Sequence, residues 1–287
     1  VVNPVKLKEM NRFFILLTAI LLFSCTSKNQ PKDSRLLFSV KIKPEQKYVL
    51  LTQNSYETEV RYEGKEKAMN KLRSMGVKNP NIMSRKSQSE MVLRTEKLLD
   101  NYIPVKLEIV KSTGSNGQAE ISQGIRANGE SVAGNMPEFT SIASGKPSGV
   151  DERAFLQAIQ NNFSRLTLPE KRLNIGEQFI VESSLTIPME KSHVEIAVST
   201  VYKLVSVANG LANFDITQNY EMNQLRMDNS FTGTGGGNGK LVYSAEKNMV
   251  TSFGMKSKLE MNKKLENFLF ILKTNSEFEQ KIEVEKK

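Results

Sequence analysis

The sequence predicts an α+β protein, mainly β, built as a strongly curved antiparallel sheet or open half-barrel with one main amphipathic helix. Three observations lead there. Apolar and polar residues alternate with period two in segment after segment from Leu36 onward, as half-buried strands require. Turn dipeptides separate these segments, the strongest being Asn209-Gly210. One stretch, Asp151 to Leu166, switches to three- and four-residue spacing. Roughly ten strands in one sheet curl or close rather than stay flat. The helix is then expected over part of the concave face.

The elements follow in order. Leu37 to Ile42, Tyr48 to Leu51 and Glu57 to Tyr62 alternate and open the body. Met91 to Leu99 and Ile103 to Val110 form a pair around an Asp100-Asn101 turn. Ser112 to Gly149, rich in Gly, Ser, Asn and Pro, reads as short strands and loops with a turn at Asn128-Gly129. In the helix, Ala154, Phe155, Ala158, Ile159, Phe163 and Leu166 make one apolar face, and Ser148 or Asp151 can cap it. Leu173 to Glu177 is a tight turn feeding a strand from Gln178 to Ile187. His193 to Val207 and Leu211 to Arg226 flank Asn209-Gly210. After a glycine-rich loop come Lys240 to Ser244, Met249 to Met261, Leu265 to Thr274 and Phe278 to Val284.

The first residues carry an address. Met10-Asn11-Arg12 is a short basic start to an apolar run, Phe13 to Phe23, interrupted only by Thr18. As a helix that run spans about 17 Å at ~1.5 Å per residue. A bilayer core is roughly 30 Å thick, so the run fits the apolar region of a secretory signal instead. Leu22-Phe23-Ser24-Cys25 resembles the lipobox of bacterial lipoproteins, with Leu at −3, a small residue at −1 and cysteine at +1. Phe23 departs from the small or branched residue usual at −2. The resemblance implies a signal peptide over 1–24, a lipidated Cys25 with a flexible tether over 25–35, and a single β-rich domain over 36–287. Val1 to Glu9 fit poorly ahead of a signal, which makes Met10 the expected true start. Thr26 and Ser27 stand where well-studied sorting places an inner-membrane-retaining Asp, so anchoring in the outer membrane is expected.

Composition narrows the chemistry. The chain has one Cys, one His and no Trp among 287 residues. Once Cys25 is lipidated no thiol remains for a disulfide, and one imidazole argues against a transition-metal site. His193 opens a strand and no Gly-x-Ser-x-Gly elbow accompanies it, which argues against a serine hydrolase. Thr232 to Lys240 fails as a phosphate loop, because Thr234 and Leu241 occupy positions that need Gly and Ser/Thr; a flexible hairpin or bulge is expected there. No acidic pair stands out, since helix capping accounts for Asp151 and Glu152. No cofactor is expected.

The net charge is +9; it reads first as solubility charge, and, as a partner, export makes an anionic envelope surface a better match than nucleic acid. A basic insertion at 65–87 sets Lys65, Lys67, Lys71, Arg73, Lys78, Arg85 and Lys86 against the single acid Glu66. It reads as a solvated excursion between strands, or as a protrusion for lipid headgroups or a partner. Twelve Met and fourteen Phe supply adaptable apolar surface. Phe155, Ile159 and Phe163 on the helix, with Phe253 and Met255 on a late strand, are the candidate lining of an apolar-ligand site. Simple filling of the core is the other use of the same residues.

Leu168-Pro169-Glu170-Lys171-Arg172-Leu173-Asn174-Ile175-Gly176-Glu177-Gln178-Phe179 resembles a recurring stretch in a family of uncharacterised bacterial envelope lipoproteins. In that family a Pro, a short spacer, an apolar residue and Gly-Asp/Glu-x-aromatic precede the second half of a β-rich domain. Gly239 to Met261 looks like the end of the same domain. The layout also looks like the curved-sheet carriers that move lipids or lipoproteins across the periplasm. The family has no established activity, so the resemblance supplies no catalytic residues. The expected function is that of a lipid-anchored, non-enzymatic envelope lipoprotein that binds a hydrophobic ligand or lipid. The alternative is a structural or interaction lipoprotein with a filled core that docks an envelope protein.

Overall fold

The computed structural model describes residues 35–115, 123–145, 151–188, 193–222 and 231–286. The stretch expected to be a signal peptide, with Met10, then Cys25, the expected tether up to residue 34, and Ser148 lie outside the described residues. The chain is mainly β. Among the described residues, β1 (Leu36–Phe38), β2 (Gln46–Gly64), α1 (Glu66–Ser74), β3 (Asn81–Thr95), β4 (Tyr102–Gly114), β5 (Arg126–Val132) and β6 (Glu138–Ser144) precede α2 (Glu152–Ser164). After it come β7 (Lys171–Leu173), β8 (Gln178–Pro188), β9 (His193–Ala208), β10 (Leu211–Met222), β11 (Phe231–Ser244), β12 (Met249–Lys264) and β13 (Phe268–Lys286).

Eleven strands form one open antiparallel sheet in the order β6-β5-β4-β3-β2-β13-β12-β11-β10-β9-β8. Every neighbour is a sequential hairpin partner except in the middle, where β2 meets β13 along a register running from Gln46↔Lys286 to Gly64↔Phe268. β1 and β7 make a separate two-stranded ribbon. Phe38 of β1 packs its ring on Phe214 and Tyr243, with centroids 5.1 and 4.8 Å away. The Tyr243 hydroxyl donates to the Ser39 carbonyl at 2.9 Å.

Asp151 is the N-cap of α2, its carboxylate accepting from the Ala154 N–H at 3.4 Å. The helix buries Phe155, Ile159 and Phe163 in the same cluster as Leu50, Met91, Ile109 and Phe214 of the sheet. It also closes one sheet edge. Gln160 accepts from the Phe139 N–H of β6 and donates to the Pro137 carbonyl, while Glu152 accepts from the Ile142 N–H. Among the described residues the strand pairings and both apolar clusters lie within residues 35–286, so this compact unit has its own hydrophobic core, as a domain able to fold alone requires.

Several local expectations change. Asn128-Gly129 lies inside β5, paired with Lys106 and Val105 of β4, because that strand is held from both sides. The segments around Tyr48 and Glu57 join into one strand, as do those around Leu269 and Val284. The basic segment divides between α1 and the outer third of β3, where Arg85 and Lys86 pair with Tyr56 and Ser55. The glycine-rich stretch is no hairpin or bulge: Gly235 to Gly239 run through the interior of β11 with strands paired on both sides, and Gly233 pairs with Met261 of β12. Its strand state comes from those neighbours, not from glycine's own preference.

A cleft beside a lane of glycines

Side chains alternate across a strand, so residues two apart share a face. On the face of β11 that carries Phe231, Leu241 and Tyr243, the positions between are Gly233, Gly235, Gly237 and Gly239. Tyr220, Gln218 and Ile216 of β10 stand beside Gly235, Gly237 and Gly239 on one side. Leu259, Ser257 and Met255 of β12 stand beside the same three on the other. The lane has no room for side chains. A β-carbon on Gly233 or Gly235 would lie 2.6 Å from the Glu260 or Lys258 carbonyl oxygen, and one on Gly237 would lie 2.7 Å from that of Lys256. On Gly239 it would collide with the Gly254 carbonyl. Neighbouring side chains lean over the bare backbone instead: Tyr220 Cδ2 comes within 2.6 Å of the β-carbon position of Gly235.

The two flanks of this lane bound a cleft of about 560 Å³. Val181 and Leu185 of β8, Val198 and Tyr202 of β9 and Tyr220 of β10 line one side. Phe253, Met255 and Leu259 of β12 and Phe278 of β13 line the other, and Arg165 with Leu168 closes the end beside α2. Several polar groups in the lining are paired with each other. Gln218 Nε2 donates to Thr200 Oγ1 and accepts from the Tyr220 hydroxyl through Oε1, both at 3.0 Å. Ser257 and Ser276 share a hydrogen bond of 2.6 Å.

Two groups in the cleft are electrostatically distinctive. Burial pushes the Tyr202 phenol up to about 12, its ring stacked on Phe179 at 4.9 Å. Arg165 lies just past α2 with its guanidinium carbon 3.9 Å above the Phe278 ring. More than a third of its surface meets solvent, yet the protein crowded around it pushes its guanidinium below the ordinary value, a nearby Tyr220 partly offsetting this. Wet surface within a crowded neighbourhood is what a concave wall produces. The guanidinium stays charged at any physiological pH.

The five residues expected to line an apolar site divide between two places. Phe253 and Met255 line the cleft. Phe155, Ile159 and Phe163 lie beneath α2 in the core, Phe163 against the Phe139 ring at 5.2 Å. All five belong to one continuous apolar cluster. His193 opens β9 opposite Pro188. Cys25 lies outside the described residues.

Arg165 escaped sequence reasoning, since a lone cation at a helix end is ordinary. Its signal was positional: with Asn161 and Asn162 it makes a polar cluster at the helix end beside the buried residues Ile159 and Phe163. No protein-family model and no curated protein matches this chain. Among the described residues no helix is long and apolar enough to cross a membrane.

Proposed function

We propose that the protein is a lipoprotein of the bacterial envelope, anchored by lipid on Cys25 at the outer membrane, that binds an apolar or lipid ligand in the cleft without transforming it. The observation that carries this reading is the cleft itself. Its volume falls within the ~300–1,000 Å³ usual for ligand sites, and its walls combine apolar side chains with polar groups, several of them paired to each other. A strongly curved sheet, with β11 as the crease, accounts for the close approach of carbonyl oxygens to the glycine lane. The crease turns β8–β10 toward β12–β13, and the helix covers the other end with its apolar face. Beside Tyr48 and Phe163 the core leaves a void of only about 10 Å³, so a ligand would sit in the cleft rather than there.

The test is native mass spectrometry with lipid extraction on Arg35–Lys287 exported to a bacterial periplasm. A stoichiometric apolar adduct is expected. A clean apo mass, unchanged after incubation with envelope lipids, would sink the ligand reading. It would favour the interaction role, for which that small void and the basic helix α1 speak. The anchor is tested separately: metabolic labelling with a fatty acid should mark the full chain and fail on Cys25→Ser.

A further inference from the structure

We infer that the polar pocket beneath the end of α2 seats the oxyanion headgroup of a single-chain amphiphile whose hydrocarbon tail lies in the neighbouring cleft, a placement that rests on the cleft being a ligand site. Two cavities meet at Arg165 and Phe278, which belong to the lining of both. One is the largely apolar cleft. The other, about 160 Å³, is walled by Thr52 and Asn54 of β2, Ser87 and Ser89 of β3, and Asn161 and Asn162 of α2. A polar chamber beside an apolar one, with two wall residues in common, has the layout of an amphiphile.

Charge decides the headgroup class. The residues lining the two cavities include no Asp, Glu or Lys, and Arg165 is the one formal charge between them. Among the described residues no carboxylate pairs with Arg165 and no acceptor takes a hydrogen bond from its guanidinium. A guanidinium is donor-only, with a fork that fits carboxylate and phosphate oxygens. The Phe278 ring covers its face and leaves those in-plane donors open to the cavity. The Asn161 carbonyl oxygen accepts from Gln157, so its amide N–H groups remain to donate.

A second observation points the same way. Thr52 Oγ1, in the lining of the pocket, is buried without a protein partner, and Thr52 is only 7% exposed. An unpartnered buried polar atom costs about 1–3 kcal/mol. A hydroxyl beside a guanidinium gives an oxyanion two donors from different elements.

The experiment is calorimetric titration of Arg35–Lys287 with four probes: dodecanoate, dodecyl phosphate, dodecan-1-ol and inorganic phosphate. Both anionic amphiphiles should bind more tightly than the alcohol, with affinity falling as salt rises. Arg165→Gln should weaken both by about tenfold or more, the loss of one charge-assisted contact, and leave the alcohol unchanged. Thr52→Val should act in the same direction without altering charge. Equal losses for alcohol and anions in Arg165→Gln would overturn the headgroup assignment while leaving the cleft as a ligand site. Inorganic phosphate binding as tightly as dodecyl phosphate would also overturn it, in favour of a free-anion site. If none of the four probes binds, the cleft reading itself falls.

Discussion

At the scale of single residues, β11 and β12 carry a matched pair of tests. Gly239 and Gly254 are cross-strand neighbours, one register step apart. A β-carbon on Gly239 would strike the Gly254 carbonyl, whereas one on Gly254 meets nothing within 4 Å. Gly239→Ala should therefore destabilise by ~1–3 kcal/mol, the usual range for overpacking. Gly254→Ala should be neutral or stabilising by ~0.4–1 kcal/mol, through lost freedom in the unfolded chain. Denaturant midpoints of the two variants decide it, and equal losses would refute the crease. Tyr202 gives a pH test. Its folded value of about 12 exceeds the ordinary 10.0 because burial disfavours the phenolate. Its contribution is thus complete below pH 10 and is lost as pH climbs toward 12. Burial raises Tyr48 and Tyr243 in the same sense. Melting temperature should fall across that window, and Tyr202→Phe should make the fall shallower.

At the scale of elements, the two ends of the sheet are treated differently. Helix α2 closes the β6 edge with side chains from Gln160 and Glu152. Gln160→Ala should cost about 1 kcal/mol and speed amide exchange at Phe139, which loses its acceptor. Unchanged exchange there would mean that other contacts protect this edge. These elements also differ in how clearly the sequence announces them. The α2 helix and the Asn209-Gly210 hairpin were legible because their signals are local: an apolar face with its Asp151 cap, and a dipeptide suited to positive φ, which here reaches 51° and 74°. The middle of β2 and the outer half of β3 were not, because Asn54, Ser87 and Arg85 lie beyond the packed core and show no apolar alternation. The lane in β11 was hidden for a stronger reason. Glycine disfavours strands, and only the flanking strands make its bareness useful. Of the candidate site, Phe253 and Met255 could be read from their period, whereas Arg165 needed the pocket around it.

At the scale of the whole molecule, long β2 and long β13 form the central seam. Without β13 the main sheet would separate into β6–β2 and β12–β8. A chain ending at Lys264 should unfold without a cooperative transition and digest rapidly in limited proteolysis. Adding the peptide Phe268–Lys286 in trans should restore protection; a truncated chain that melts cooperatively alone would show the seam to be dispensable. The seam also sets an order of events. A ribosome delivers this chain from its N-terminal side, so the strand that completes the middle is the last of the thirteen described strands to emerge. Until it arrives, β2 and β12 each wait with an unpaired flank, and the nascent polypeptide remains in two unfinished halves. A molecule arranged in this way stays pliable throughout its synthesis and locks only when its last described strand docks.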